Sequence, residues 1–327
     1  MDSILLKDVP IELLDKKRIL LTGATGLVGT HFLYAFYEAY KKGVDLEVFA
    51  PQHSSLPNHL IEIANSEFMN FIGNGSFISS DIIIHASSYG QPSKFIKNSM
   101  ETVFLNTTVT QTLLQNYLKP NGRFLFLSSS EVCSGLYNAP VAEDTIGTTT
   151  PYHPRACYIE AKRCGETIVN IFRENGTDAK SIRLCLAYGE GTRKDDQRVL
   201  NDLIRKALAD KEIKLMDAGQ AVRTYCYIGD AVNMMLKILL EGKHPVYNVG
   251  GIFSLSIAQL AYLIGKLTGS PVVLQLGSKS LEGSPDVVNM SIQRYIDEFG
   301  EREFVSIEEG LRRTIKYQRI LYGNDIK

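Results

Sequence analysis

A doubly wound parallel α/β sheet, with a smaller substrate domain toward the C-terminus, is the fold this sequence predicts. Strand-like and helix-like stretches alternate through the first 185 residues, the pattern of a parallel sheet covered by helices on both faces. The strand candidates are short and almost wholly apolar, Ile19-Leu20-Leu21 and Ile82-Ile83-Ile84 among them, as strands buried on both faces require. The first of these runs leads directly into Thr22-Gly23-Ala24-Thr25-Gly26-Leu27-Val28-Gly29 and then into a helical pattern carrying Phe32, Leu33 and Phe36.

That strand, glycine loop and helix meet the needs of a dinucleotide phosphate. Gly23 lets the chain turn tightly off the strand, Gly26 lets a pyrophosphate approach the backbone, and Gly29 lets the helix pack close to the strand. The helix N-terminus adds free N–H groups and partial positive charge. The spacing is G-x-x-G-x-x-G rather than G-x-G-x-x-G. Thr25, Leu27 and Val28 complete the candidate cofactor loop.

The remaining elements follow in order. Residues 1–17 carry Ile4, Leu5, Ile11, Leu13 and Leu14 among charges and form an amphipathic lead-in. The helix after the glycine loop runs to about Lys42, and Leu46 to Ala50 is the second strand. A ribose-binding Asp or Glu belongs at this strand's end, but the sequence has Ala50-Pro51-Gln52-His53. Gln52 or Ser54 can bond a ribose, and no Arg or Lys stands nearby for a 2′-phosphate. NAD is therefore the expected cofactor, with NADP the alternative. Residues 55–80 read as loop with a short helix near 59–65. Asp81 to Ser88 is a strand whose small final residues, Ala86, Ser87 and Ser88, leave room for a ligand. One helix is expected from Met100 to Tyr117, a turn at Pro120-Asn121-Gly122, and a strand from Arg123 to Leu127 that ends in Ser128-Ser129-Ser130-Glu131. A helix spans about Ala156 to Glu174 and a strand Lys180 to Leu184. Asp195-Asp196 is placed to cap a helix through Val199 and Leu208, and Ile213 to Met216 is a short strand. Helices are expected over 228–241 and 256–267, with a strand Val246 to Val249 between them. Ser306 and Glu309 have capping-box spacing at the start of the last helix.

Composition excludes several classes. The 327 residues are 44% hydrophobic and 22% charged, with net charge −1 and no basic block. Neither nucleic acid nor an anionic membrane is recommended as a partner. No apolar run reaches membrane-spanning length, and the first residues lack the pattern of a signal peptide. The five cysteines show no C-x-x-C pairing, which suits reduced thiols and a cytoplasmic location. The six histidines have no metal-ligand spacing, so no metal is expected.

Tyr158 and Lys162 carry the chemistry. They stand four apart in a helical stretch and share a face. A free tyrosine, with pKa about 10, is a poor base at neutral pH. A neighbouring ammonium favours the phenolate, which then takes a proton from a substrate hydroxyl as a hydride leaves the same carbon. Glu131 lies two residues after Ser129, and strand alternation would point both into one site.

The motifs Thr22 to Gly29, Ser129-Ser130-Glu131-Val132 and Tyr158-Ile159-Glu160-Ala161-Lys162 resemble the extended short-chain dehydrogenase/reductase family, with its Rossmann-type fold. Within it the chain is similar to the nucleotide-sugar epimerase, dehydratase and decarboxylase group. Pro154-Arg155-Ala156-Cys157-Tyr158, Asp195 to Val199 and Arg223-Thr224-Tyr225-Cys226-Tyr227 look most like UDP-glucuronate decarboxylases. The family's usual Asn before Tyr188-Gly189 is Leu186, and Cys133 stands where an aromatic usually follows Glu-Val.

The resemblance implies roles. Ser129 would hydrogen-bond the hydroxyl being oxidised, Tyr158 would be the base, and Lys162 its tuner and a ribose contact. Glu131 matches a glutamate used in decarboxylases and 4,6-dehydratases, while Ser130, Arg198 and Arg223 would contact the substrate, the arginines gripping its diphosphate. Asn106 joins Ala86, Ser87 and Ser88 in the implied cofactor set. Residues 1–185 would form the dinucleotide domain, with 224–250 returning to it, and 186–327 mainly the substrate domain. A homodimer through the helices near 100–117 and 156–174 is the family habit. The implied reaction oxidises C4 of a nucleotide sugar, with decarboxylation the first choice and 4,6-dehydration, 4-epimerisation or plain 4-oxidation the alternatives. A non-catalytic, cofactor-sensing protein is the reading from another class.

Overall fold

The computed structural model describes residues 2–53, 55–136, 140–275 and 287–323; Ser54, one of the two candidate ribose contacts, lies outside them. The strands in chain order are β1 Lys17–Thr22, β2 Leu46–Pro51, β3 Met69–Ile72, β4 Ser80–His85, β5 Leu118–Ser129, β6 Asp178–Leu184, β7 Leu186–Tyr188, β8 Ile213–Lys214, β9 Val222–Tyr227, β10 Val246–Val249, β11 Phe253–Ser256, β12 Val272–Val273 and β13 Val287–Val288. The helices are α1 Asp2–Leu5, α2 Leu27–Lys41, α3 Ile61–Ala64, α4 Pro92–Lys97, α5 Ser99–Asn106, α6 Thr108–Asn116, α7 Ala156–Glu174, α8 Val199–Ala209, α9 Ile228–Glu241, α10 Ile257–Thr268, α11 Gln293–Phe299 and α12 Ile307–Tyr322.

Seven strands form one sheet in the order β10-β6-β5-β4-β1-β2-β3, every pairing parallel. Successive residues of β1 and β4 bury on opposite faces. Ile19, Leu21, Ile82 and Ile84 join a core with Phe32 and Phe36 of α2 and Ile238 of α9. Leu20 and Ile83 join Val109 and Leu113 of α6 and Val169 of α7 on the other side. Both faces are covered, which is why these strands read as unbroken apolar runs. Strand order reverses between β1 and β4, and in open parallel sheets the crevice outside the carboxyl ends at that reversal is where ligands bind.

The smaller part holds β9 at the centre of a four-stranded sheet with β7, β11 and β13, and β8 pairs with β12. The lead-in folds onto α9: Leu5, Leu6, Val9 and Leu14 are buried, and Asn233 Nδ2 donates to the carbonyls of Leu5 and Lys7.

Local departures from the sequence reading have physical causes. Residues 55–80 contain β3, which closes the sheet's edge beside β2. The helix expected over 100–117 is two helices, interrupted at Thr107, whose Oγ1 donates to Val103 O at 2.8 Å. Thr107 N still donates to Val103 O, and the break shows in the Thr107 backbone, at φ −115° and ψ −74°. Pro120-Asn121-Gly122 does not turn the chain out of β5. It forms an irregularity inside the strand, with Asn121 at φ 59° and the register to β4 shifting there. The strand at 213 is two residues long, and the strand expected to Ser88 ends at His85. Asp195-Asp196 do not cap α8: its N-cap is Arg198, without a side-chain cap bond. Ser306 Oγ accepts from Glu309 N, but the Glu309 carboxylate pairs forward with Arg313, so only half of that capping box forms.

Candidate functional site

The glycine loop and the loop after β4 meet at the sheet's reversal point. Thr22 and His85 are register partners on β1 and β4. His85 Nε2 lies 2.8 Å from Leu105 O, and Nδ1 lies 2.7 Å from Thr22 Oγ1. A carbonyl only accepts, so Nε2 carries the proton and Nδ1 accepts from the Thr22 hydroxyl. Thr22 Oγ1 in turn accepts from Ser87 N at 3.2 Å. One chain of bonds thus ties the β1 loop to the β4 loop and to α5. Burial holds His85 well below its ordinary value, at about 4, so the ring is neutral as this relay requires.

Gly23 has φ +71°, and a Cβ there would lie 2.6 Å from Ala86 O. Gly29 packs its α-carbon against the Gly23 carbonyl, where a Cβ would collide. At Gly26 the situation differs, since a Cβ would meet only Gly23 O, at 3.3 Å, and otherwise project into open space. Gly26 is the N-cap of α2, and no side chain caps it. The helix's first N–H groups therefore face a cradle that a side chain would fill, and an anionic group fits there. Thr25, Leu27 and Val28 line this turn, half-exposed. Ser88 Oγ accepts from Asn106 Nδ2 at 2.9 Å, and Asn106 Oδ1 is buried with no partner among the described residues. An orphaned acceptor at this point fits a ligand donor. The donor set around the cradle suits a dinucleotide, while Ala50 leaves the end of β2 without a carboxylate.

Ser129 is the last residue of β5 and Tyr158 and Lys162 lie one turn apart on α7. Tyr158 hydrogen-bonds Ser129. Its ring stacks on Phe95 of α4, centroids 4.5 Å apart and planes 9° apart, an arrangement worth about 0.5–1.5 kcal/mol beyond burial. Lys162 Nζ is 5.5 Å from the Tyr158 ring centroid and donates to Leu127 O. Burial brings Lys162 down to about 7, with Glu166 opposing.

Tyr158 is pushed up, to about 12, by burial; the Ser129 bond, Arg155 and Arg198 pull it down, and Glu131 pushes it further up. The expected lowering by Lys162 is thus not what governs this tyrosine in the protein alone. Burial outweighs the Ser129 bond and both arginines, so the balance stands against the phenolate. The cations that act on it most are Arg155 and Arg198.

Glu131 is not on the strand. It sits in the 3-10 turn Ser130–Cys133, where its N–H donates to Ser129 Oγ at 3.2 Å. That turn, rather than strand alternation, brings it to the site. Its carboxylate pairs with Arg155 Nη2 at 2.9 Å and accepts from Ser134 Oγ at 3.3 Å. Ser130 is buried in the same turn. Arg198 is held by Asp196, Nη2 to Oδ2 at 2.6 Å. Arg223 is buried on β9 between β11 and β13, its Nη1 donating to Val222 O at 2.8 Å.

The structure therefore brings Ser129, Glu131, Tyr158 and Lys162 together, and the glycine loop meets Ala86, Ser87 and Ser88. Phe95, Arg155 and His85 complete the site and were not picked out as site residues from sequence. Arg155 stands in the quoted Pro154-to-Tyr158 motif, which was the one available signal. A groove of about 440 Å³ beside the edge strand β10 is lined by Glu143, Lys243, Arg294 and Glu298. Among the described residues no three His, Cys, Asp or Glu side chains gather as a metal-holding group, and no helix is long and apolar enough to cross a membrane.

Comparison with known proteins gives a consistent result. UDP-glucuronic acid decarboxylase 1 of Xenopus tropicalis is 29% identical over 307 residues, covering 93% of this chain and 73% of that protein. UDP-glucuronic acid decarboxylase 6 of Arabidopsis thaliana is 25% identical, covering 90% and 86%. Among solved structures, UDP-glucuronic acid 4-epimerase from Bacillus cereus, in complex with UDP-glucuronic acid and NAD, superposes with TM-score 0.79 at 24% identity, covering 93% of this chain and 100% of that one. The dTDP-glucose 4,6-dehydratase DesIV from Streptomyces venezuelae, with NAD and TYD bound, gives 0.78 at 21%, covering 94% and 98%. The model of the NAD dependent epimerase/dehydratase family matches residues 19–250, well over half of the chain, and the chain belongs to that family.

Proposed function

We propose that this protein is an NAD-dependent enzyme that oxidises a nucleotide sugar at C4 and then decarboxylates it, with UDP-glucuronate as substrate. The observation that carries the reading is the Ser129–Tyr158–Glu131 cluster with Arg155 beside it. The similarity to UDP-glucuronic acid decarboxylases over nine-tenths of the chain supports the choice among reactions.

NAD would be held by the loop Gly23 to Gly29, by Ala86, Ser87, Ser88 and Asn106, and by Tyr158 and Lys162 at the ribose. When bound, it supplies an acceptor and later a donor of the C4 hydride. Tyr158 takes the C4 hydroxyl proton and Ser129 holds that hydroxyl in line. A C4 ketone makes the C6 carboxylate a β-keto acid, which loses carbon dioxide readily. Glu131 orders the ring at this step, and Arg198 and Arg223 grip the diphosphate. Residues 186–327 supply most of the substrate side, with 224–250 returning to the dinucleotide side. Met100 and Phe104 of α5 and Ile171 of α7 are exposed apolar residues, and they support a homodimer through these helices. The five free thiols accord with a cytoplasmic enzyme.

Mass spectrometry of products from UDP-, GDP-, CDP- and dTDP-sugars tests this. Loss of carbon dioxide from UDP-glucuronate is expected; loss of water or a mass-neutral epimer from another sugar would replace the decarboxylase reading. Binding without turnover across the panel would point instead to a cofactor-sensing protein.

A further inference from the structure

We propose that Arg155 is a positioning residue whose ion pair with Glu131 offsets that carboxylate's charge beside Tyr158, so that the acid needed later in the cycle opposes the base needed first less strongly. The inference rests on the proposed roles of Tyr158 and Glu131 and adds a residue that those roles do not name.

The geometry is specific. Arg155 Nη2 is 2.9 Å from Glu131 Oε1, and the side chains are only 13% and 19% exposed. The guanidinium also lies over the Phe95 ring, 5.5 Å from its centroid, and Phe95 is the ring on which Tyr158 stacks. Arg155 immediately precedes α7, so it is one helical turn from Tyr158. Its Nε is buried without a partner among the described residues. The guanidinium is thus committed to one carboxylate and one aromatic face.

The charges facing Tyr158 are few. Glu131 disfavours its phenolate, while Arg155 and Arg198 favour it. Lys162 lies behind the ring with Glu166 beyond it, and His85, near Lys162, is neutral. On α4 the cations are Lys94, paired with Asp195 at 2.6 Å, and Lys97 at its last position. Arg198 already serves Asp196. Removing Arg155 therefore leaves Glu131 as a partly buried carboxylate without its cation, next to the base. An unpaired charge within about 4–6 Å moves a titration by about one unit or more, and an unpaired buried charge also destabilises the fold.

The test is a double-variant cycle of Arg155→Met and Glu131→Gln. The first readout is the pH dependence of the initial NADH absorbance rise in a single turnover of the NAD-loaded enzyme. Arg155→Met is expected to raise its apparent pKa by about one pH unit, Glu131→Gln alone not to raise it, and the double variant to return it to the parent value. Arg155→Lys, which keeps the charge if Arg155→Met fails to fold, is expected to leave the pKa in place. The second readout is melting of the cofactor-free proteins: Arg155→Met lowers the midpoint and adding Glu131→Gln recovers most of the loss. An unmoved pH profile in Arg155→Met, or a shift that persists in the double variant, overturns the proposal. Tyr158→Phe is measured alongside. If it keeps a pH-dependent hydride step, the reading of Tyr158 as base is wrong; if it abolishes that step while Arg155→Met leaves the profile unmoved, only the role of Arg155 is wrong.

Discussion

Tyr158 is under two opposed demands. Stacking on Phe95 and burial fix its position, and the same burial disfavours the charged form that a base must pass through. Position wins in the protein alone, and the surrounding cations reduce the penalty. Tyr158→Phe keeps the ring and the stack and removes only the hydroxyl. Turnover is expected to fall by about 10²–10⁴-fold, the usual worth of a placed acid–base group, with bound cofactor and circular dichroism unchanged; near-normal turnover would remove the proton-transfer role. Glu131→Gln probes the second step. NADH absorbance should rise on adding substrate and persist, with a 4-keto sugar trapped. Normal turnover would make Glu131 a structural carboxylate that holds Ser134 and Arg155. At this scale the sequence was informative where function follows local spacing. Tyr158 and Lys162 share a helix face, and Ser129 ends an apolar strand. It was silent on Phe95 and His85, whose roles depend on contacts between distant segments, Phe95 with Tyr158 and His85 with Thr22 and Leu105.

At the scale of elements, the strand–loop–helix unit from Lys17 to Lys41 was legible because each glycine answers a backbone requirement. The three requirements differ in consequence. A side chain at Gly23 or Gly29 meets backbone, whereas at Gly26 it meets open space. Gly26→Val is therefore expected to fold but to lose retained nicotinamide, measured after heat release. A variant that purifies with full nicotinamide content would contradict the loop's role. β3 was not legible, because Met69 to Ile72 is four residues long with one buried and three half-buried positions. Such a run has no clear period. The break at Thr107 was hidden for the opposite reason: apolar spacing continues across it, and only the backbone angles of Thr107, φ −115° and ψ −74°, mark it.

For the whole molecule, two buried histidines make stability depend on pH. Burial depresses His31 and His85 to about 4, against about 6.5 in the unfolded chain. Between those values the unfolded chain binds protons that the folded chain refuses. Their contribution is thus complete above pH 6.5 and is lost as pH falls toward 4, on the order of 1–3 kcal/mol for each. Urea midpoints should drop from pH 7 to pH 5, and His85→Asn should flatten part of that drop. Equal midpoints at both values would show that the rings are not held neutral.

The same whole-molecule arrangement, a cradle at the reversal of the sheet facing the Tyr158 cluster, carries the functional claim. It is tested most directly by one single-turnover measurement with UDP-glucuronate, recording nicotinamide absorbance and released carbon dioxide together. The expected result is an NADH signal that rises before the gas appears and falls as it is released. Carbon dioxide released with no such transient in Tyr158→Phe and parent alike, or a transient that rises and decays with no carbon dioxide, would contradict it.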